Sequence, residues 1–272
     1  MDKLVSVIIP YYNNKDTIIR ALESVLNQSY NNLELIIIND GSKDDSYEIV
    51  CEYLQKYDGN ININHINQEN QGPSITRNKG IKLSKGEYIA FLDADDSWNL
   101  DKIKIQMDIL TRNPHIDLLA CNFYIVNTDG KKEKHYFVKD DLVQITFDQM
   151  LVKHYYATPC VIVKKQVALN CGMFKENQHY MEDSMLFTKI CRDYNGYMTN
   201  DFLVNTYKNS FGESGLSGNL NKMQKYEIIN FINLYKENST SNNKLSIFKL
   251  IICMVFSTLK FIRRKLIVAL RK

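Results

Sequence analysis

Acidic residues that could hold a metal ion are clustered directly after a short apolar segment. Asp93-Ala94-Asp95-Asp96 follows the sequence EYIAFL at 87–92. Three carboxylates in four residues repel one another, so we expect a positive partner, and hard divalent cations such as Mg²⁺ or Mn²⁺ bind oxygen ligands together with substrate phosphates. The alternative is that Asp95 or Asp96 caps the next helix. A position at the end of a strand favours the metal hypothesis.

Two further charged residues, distant from this cluster in sequence, are candidates for ligand binding. Asp40 follows the apolar run 33–39 and could accept a hydrogen bond from a base or ribose, although aspartate is also common in turns. Arg77 lies near a helix start between two glycines, which suits a phosphate or carboxylate partner. The alternative for Arg77 is a surface salt bridge.

Glu182-Asp183 opens a predicted helix late in the chain. Adjacent carboxylates point to different sides of a helix, so one of them can face a cleft as a base. The alternative is that both simply add favourable charge at the helix N-terminus, worth about 0.3–1 kcal/mol.

Several other kinds of site are excluded by residue spacing. No two of the 11 glycines are two or five positions apart, which excludes GxGxxG and GxxxxGK[ST] phosphate-binding loops. The five histidines form no HxH or HExxH pattern and are interpreted as surface or packing residues, and the chain lacks a GxSxG elbow. The six cysteines form no CxxC pair, which favours buried free thiols in a reducing cytosol.

Strand and helix patterns alternate through the first half of the chain, which predicts βαβ crossovers and a mainly parallel sheet. Ligands of such sheets bind beyond the carboxyl ends of the strands. Tyr11-Tyr12-Asn13, Asp40 and the aspartate cluster follow three of these predicted ends. The predicted strands are 4–10, 33–39, 61–67, 87–92, 117–126, one within 157–163, and 202–207; the predicted helices are 17–28, one capped by Ser42 or Asp44 and running to Lys56, 73–83, 99–112, 164–170, 180–192 and 221–236.

The last 28 residues, 245–272, differ from the rest in charge. They contain seven basic residues and no acidic one, whereas the remaining 244 residues carry a net charge of −4. The longest uncharged run, 250–259, is too short to span a membrane, which takes about 20 residues. The pattern predicts a basic amphipathic helix on an anionic membrane surface. The alternative is packing on the body or on a partner subunit. Because the body lacks a basic stripe with aromatic residues, nucleic-acid binding is disfavoured.

These pieces, in this order, resemble the family 2 glycosyltransferases of GT-A fold, a large bacterial group that builds surface polysaccharides. The resemblance covers about the first 210 residues. The matching segments are VSVIIPYYNN (5–14), LELIIINDGSKDDS (33–46), NQGPSITRNKG (70–80), GEYIAFLDADDSW (86–98), CGMFKE (171–176) and MEDSMLF (181–187).

The resemblance implies a domain organisation. A GT-A domain would span 1–236, with a Rossmann-like nucleotide-sugar-binding half at 1–126 and a half at 127–236 that binds the acceptor and carries the base. Composition, rather than the resemblance, predicts the rest: the polar sequence at 237–244 indicates a linker that leads to the amphipathic helix at 245–272.

The resemblance also implies residue roles. Tyr12 would stack on the uracil of a UDP-sugar, Asp40 would accept from that ring, and Arg77 would contact the base or diphosphate. Asp95 would bind the Mn²⁺ or Mg²⁺ that bridges the diphosphate, and Asp183 would be the catalytic base. The implied substrate-binding residues are Pro10, Tyr12, Asn13, Asp40, Arg77, Asp93, Ala94 and Glu182, and Asp93, placed towards the ribose, shares the metal with Asp95.

The chain departs from many relatives at one position. They carry an Arg-x-His step followed by a serine-containing loop, whereas Tyr207-Lys208-Asn209-Ser210 stands here without histidine. This absence weakens the expectation of a third metal ligand. The sequence at 210–218 is rich in glycine and serine and predicts a loop. Its glycines still permit the part at 214–217 to close over the donor.

We therefore expect an inverting, UDP-sugar-dependent hexosyltransferase. It would make a β-linkage to a lipid-linked or polymeric glycan acceptor at the cytoplasmic face of the plasma membrane. The sequence leaves both a monomer and an oligomer open. A non-catalytic nucleotide- or glycan-binding partner of another transferase is the alternative. A sugar nucleotidyltransferase is less favoured, because Tyr11-Tyr12-Asn13-Asn14 replaces the glycine-rich first loop that it needs.

Overall fold

The computed structural model describes residues 2–127, 129–207, 218–241 and 243–270. Over these ranges the chain forms one ten-stranded sheet flanked by helices. The predicted α/β architecture is therefore confirmed. The predicted loop at 210–218 lies outside the described residues except for Gly218.

The first half of the sheet is parallel, as predicted. Strands β1 (Val5–Tyr11), β2 (Leu33–Asn39), β3 (Asn62–Asn67) and β4 (Tyr88–Phe91) pair in parallel in the order β3-β2-β1-β4. The apolar runs of β1, β2 and β4 are buried because both faces of the sheet are covered. Their carboxyl ends meet at one edge. The crossover helices are α1 (Ile18–Leu26), α2 (Ser46–Gln55) and α3 (Pro73–Leu83).

The predicted cap of α2, Ser42 or Asp44, is wrong, because the N-cap position is occupied by Asp45, whose side chain makes no capping hydrogen bond. Asp44 nevertheless supports the first turn, since its Oδ1 accepts from Ser46 N at 3.1 Å. The Ser42 hydroxyl donates to Asn39 Oδ1 instead.

Six further strands and four further helices follow along the chain. They are β5 (Ser97–Trp98), α4 (Lys102–Arg112), β6 (Leu118–Val126), β7 (Lys132–His135), β8 (Leu142–Ile145), α5 (Phe147–Val152), β9 (Ile162–Lys164), α6 (Lys165–Asn170), α7 (Glu182–Asp193) and β10 (Gly196–Thr206). The strand order of the sheet is β3-β2-β1-β4-β9-β6-β10-β5, with β7 paired to β6 and β8 to β10.

This second half of the sheet is mixed, because β9 runs antiparallel between β4 and β6 while β6 and β10 are parallel. The strand predicted at 202–207 begins already at Gly196, and two shifts in its register with β6 interrupt its sequence pattern. The sequence does not predict β5, β7, β8 or α5.

Two long helices follow, α8 (Leu220–Lys236) and α9 (Ile247–Leu270), separated by a 3₁₀ turn at Glu237–Thr240. The segment between them is hydrogen bonded to the end of α7: Ser241 Oγ donates to Asp193, and Asn243 Nδ2 donates to Arg192 O. The division of the chain at 237–244 stays a prediction. A second apolar cluster joins α5, α7, α8 and α9 and contains Phe147, Leu151, Met185, Phe231, Leu234, Leu245, Leu250 and Cys253.

Helix α9 packs on α8 through a narrow stripe of Leu250, Cys253 and Ser257. Other apolar residues of α9 form an outward-facing stripe, whose exposed members are Ile251, Val255, Ile262, Leu266 and Ala269. None of the helices in the described part of the chain has the length and apolar character that crossing a membrane requires. All six cysteine thiols are free, as predicted, and five of them are buried.

Candidate active site

A cavity of about 760 Å³ opens at the edge of the sheet where β1, β2 and β4 end. The start of α7 closes its other side. Most of the residues singled out in the sequence therefore meet at one place, as expected for an α/β sheet. The predicted residues that line the cavity are Pro10, Tyr12, Asp40, Arg77, Asp93, Ala94, Asp95, Glu182 and Asp183.

Tyr12 and Asn13 follow β1 but face different surroundings. The Tyr12 ring is 40% exposed at the cavity, which leaves a face open for a planar ligand. Asn13 is not among the lining residues. Its Oδ1 accepts from Lys43 N at 2.8 Å and its N donates to Ser42 Oγ at 3.0 Å, so Asn13 ties the loops after β1 and β2 together. Asn14 does line the cavity, and substrate binding by Asn13 stays a prediction.

Asp40 is buried at the cavity wall and is already well supplied with donors. Its Oδ1 accepts from Gln71 N at 2.9 Å and Gln68 Nε2 at 2.8 Å, and its Oδ2 accepts from Gly72 N at 2.8 Å. These bonds anchor the chain just before α3. A carboxylate offers about four acceptor sites, so capacity for one further donor remains. Recognition of a base by Asp40 stays a prediction.

The aspartates after β4 are close enough together to share a cation. One carboxylate oxygen from each of Asp93, Asp95 and Asp96 lies within 4.8 Å of the others. Ligand oxygens at about 2.0–2.6 Å from one ion lie up to roughly 4–5 Å apart, so the cluster fits Mg²⁺ or Mn²⁺. The predicted pair Asp93 and Asp95 belongs to this group, and Asp96 was not predicted as a ligand.

The main chain of the aspartate cluster is held by a residue that the sequence analysis missed. Arg20 of α1 donates from Nη2 to the carbonyl oxygen of Asp95 at 2.6 Å, and its guanidinium lies 3.5 Å from the centre of the Tyr207 ring. Tyr207 N in turn donates to Asp96 Oδ1 at 3.3 Å. Tyr207, which directly follows β10 and opens the stretch without the histidine, is therefore held against the aspartate cluster.

Arg77 is a buried tie between two walls of the cavity. Its Nη2 lies 2.8 Å from Asp93 Oδ1 and its Nη1 lies 3.0 Å from Glu182 Oε1. Burial alone would lower the pKa of Arg77, but the two carboxylates outweigh it and raise the pKa. Of the two interpretations in the sequence analysis, an ion pair is what the structure contains, although it is buried and double rather than a surface bridge.

Glu182 and Asp183 open α7 and point to different partners, as their adjacency predicted. Burial and the neighbouring Asp183 raise the pKa of Glu182 to about 7, although Arg77 opposes the shift. Asp183 Oδ1 accepts from Ser184 N at 2.7 Å, and its Oδ2 accepts from Thr158 Oγ1 at 3.3 Å. These two donors hold the carboxylate at the cavity wall with acceptor capacity to spare.

Several lining residues were missed or interpreted differently from the sequence. His179 was interpreted as a surface or packing residue, and it is exposed but lines the cavity. It lies in the segment that leads into Glu182-Asp183, and its proximity to that pair was the available signal. The other lining residues that were not predicted include Tyr11, Thr76, Thr158, Tyr180, Met181, Tyr207 and Met223.

Comparison with known proteins identifies the chain. The model of glycosyl transferase family 2 matches residues 6–177. A Rickettsia typhi protein named as an uncharacterised glycosyltransferase is 30% identical over 232 residues, which cover 83% of this chain and 70% of that protein. TuaG of Bacillus subtilis, named for teichuronic acid biosynthesis, is 41% identical over 107 residues, 39% of this chain and 42% of TuaG.

Among solved structures, the Staphylococcus aureus protein TarS (residues 1–349) in complex with UDP-GlcNAc superposes with a TM-score of 0.72 at 19% identity, covering 96% of this chain and 72% of that one. The fold is therefore the GT-A fold of glycosyltransferases, as predicted. The chain belongs to glycosyl transferase family 2.

Proposed function

We propose that the protein is an inverting glycosyltransferase that moves a hexose or N-acetylhexosamine from a UDP-sugar to a hydroxyl of a lipid-linked or polymeric glycan. The product would be a β-linkage in a bacterial surface polysaccharide. One observation carries the proposal: carboxylates from the ends of β2 and β4 and from the start of α7 line a single cavity. The complex of TarS with UDP-GlcNAc and the name of TuaG support the donor and the pathway.

The proposed donor site lies along the ends of β1 and β4. The exposed ring of Tyr12 would stack on uracil beside Pro10, and the remaining acceptor capacity of Asp40 would meet a base N–H. Asp93 and Asp95, with Ala94 between them, would hold Mn²⁺ or Mg²⁺. The ion would neutralise the charge that grows on the leaving diphosphate.

The proposed base is Asp183. The incoming hydroxyl becomes acidic as it bonds to the sugar carbon, so a carboxylate within hydrogen-bond reach can accept its proton. Arg77 joins Asp93 and Glu182 by charge-assisted hydrogen bonds, so it fixes the start of α7 relative to the aspartate cluster. With Asp183 as the single base, the reaction is one displacement that inverts the sugar carbon.

The proposed place of work is the cytoplasmic face of the plasma membrane. The exposed apolar stripe of α9 and the basic residues beside it, which include Arg263 and Lys265, have the pattern of a helix that lies in an anionic membrane surface. Lys249 is paired with Asp148 and Lys260 with Glu227, so these two lysines hold the helix on the body and leave the apolar stripe outward.

The test is donor turnover by the full chain. UDP-glucose, UDP-galactose, UDP-GlcNAc and UDP-GalNAc are each incubated with the protein and Mn²⁺ or Mg²⁺, and released UDP is measured. We expect UDP release from at least one donor, and loss of that release when the metal is chelated. Asp95→Asn should lose most of the release. The control Asp148→Asn, which changes an exposed carboxylate that does not line the cavity, should keep it. Release that needs no metal and survives Asp95→Asn would refute the proposed site.

A further inference from the structure

A chain of polar side chains connects the C-terminal helices with the start of α7, where the proposed base lies. Lys260 Nζ of α9 lies 2.9 Å from Glu227 Oε1 of α8. His154 Nε2, in the segment after α5, lies 3.4 Å from the same oxygen, and His154 Nδ1 lies 2.7 Å from Ser184 Oγ. Four separate segments of the chain are therefore joined in one polar contact line, in which Glu227 and Ser184 are buried and Lys260 and His154 are partly exposed.

The centre of this contact line is a buried charge, and burying a charge costs free energy unless partners compensate it. The Glu227 side chain is 4% exposed. Burial raises the pKa of Glu227, but hydrogen bonding and charge from His154 and Lys260 outweigh it and hold the pKa well below its usual range. Ser257 Oγ donates to the second oxygen at 2.8 Å. The carboxylate is thus fully supplied with partners, as a buried charge requires.

The far end of the line reaches the proposed base through one peptide group. Ser184 is held by its hydroxyl to His154, and its backbone N–H donates to Asp183 Oδ1 at 2.7 Å. A shift of Ser184 would therefore move the donor that orients the Asp183 carboxylate. Either atom can be the donor in the bond between His154 Nδ1 and the Ser184 hydroxyl, because the direction follows the protonation of the imidazole.

A second contact from α8 holds the same turn. Asn230, three residues after Glu227 and so on the same face of α8, donates from Nδ2 to Met181 O at 2.8 Å. Met181 precedes α7 with φ 59°, a left-handed conformation that side chains other than glycine adopt only when their surroundings hold them. Helix α8 thus contacts the residues on both sides of Glu182-Asp183: Met181 directly through Asn230, and Ser184 through His154.

We infer that Glu227, His154 and Ser184 are positioning residues that set the orientation of the Asp183 carboxylate from the C-terminal helices. The inference rests on the proposed function, in which Asp183 is the base. None of the three is a lining residue of the cavity. They act on turnover through the geometry of Asp183 and leave the contacts with UDP unchanged, since Tyr12 and the aspartate cluster lie on other elements.

The test uses three variants: Glu227→Gln, Ser184→Ala, and the double variant that combines these two substitutions. Lys249→Gln is the control. The control removes an exposed ion pair that also joins α9 to the body. For each full-length protein, kcat for UDP-sugar hydrolysis and Kd for UDP are measured. We expect each single variant to lose about tenfold or more in kcat, because small misplacement of a reacting group is costly. UDP affinity and the control stay close to wild type.

The double variant separates a connected line from two independent effects. If Glu227 and Ser184 act through the same polar contact line, their losses in kcat do not add. The double variant should then have the kcat of the worse single variant. Additive losses, a kcat equal to that of Lys249→Gln, or a parallel fall in UDP affinity would each overturn the inference. If wild type itself binds UDP but hydrolyses no UDP-sugar, the proposed function fails and the inference falls with it; if wild type turns over and only the variants disagree, the inference alone fails.

Discussion

Replacing four exposed apolar side chains of α9 with glutamine tests whether this helix binds a membrane surface. Ile251, Val255, Leu259 and Ile262 are each 49–60% exposed. Complete burial of such a side chain is worth about 1.5–3 kcal/mol, so burying the exposed half of four of them gains about 3–6 kcal/mol. That is about a hundredfold to ten-thousandfold in partitioning. Glutamine is a good helix former, so the helix itself should persist.

The assay is co-sedimentation with vesicles that contain anionic phospholipid. We expect wild type to pellet with the vesicles and the four-fold variant to stay in the supernatant. A matched control carries the same apolar-to-glutamine change at exposed positions elsewhere, namely Leu83, Leu100, Leu142 and Val152. Equal pelleting of the α9 variant and wild type would refute the membrane role, and wild type that forms dimers and ignores vesicles would point to a partner subunit.

Three further predictions concern the cavity. Arg77→Met removes the guanidinium that pairs with the part-buried Asp93 and the buried Glu182, so we expect the free energy of unfolding in urea to fall by about 3–5 kcal/mol, against less than about 1 kcal/mol for Lys82→Met at an exposed pair. Because the folded pKa of Glu182 is raised from 4.5 to about 7, the folded state binds its proton more tightly, so wild type should lose stability relative to Glu182→Gln as the pH rises through this window; a pH-independent difference would contradict this. Tyr12→Ala should weaken UDP binding by about 1–3 kcal/mol in calorimetry, and unchanged affinity would remove Tyr12 from the base site.

The parallel half of the fold was predictable because its signals are local. The apolar runs of β1, β2 and β4 are continuous, and the polar residues at their ends stand out from them. The second half was less predictable. Strand β5 has two residues and therefore no periodicity, and the antiparallel direction of β9 depends on pairing with β4 and β6, which are distant in sequence.

The site was predictable at the level of residue types but not of their partners. The aspartates after β4 and the Glu182-Asp183 pair were identified, and all of them except Asp96 were assigned a role. The ties between Arg77 and Glu182, 105 residues apart, and between Arg20 and Asp95, 75 residues apart, leave no mark in local spacing. The same holds for Asn13, whose Oδ1 accepts from Lys43 N in the loop after β2.

The most direct test of the central claim is the turnover of Asp183→Asn. Asparagine keeps the shape of the side chain and an acceptor for Ser184 N, but it cannot take a proton from the incoming hydroxyl. We predict a loss of about 10²–10⁴-fold in kcat with UDP affinity nearly unchanged. An Asp183→Asn protein that transfers sugar at the wild-type rate would show that the base lies elsewhere.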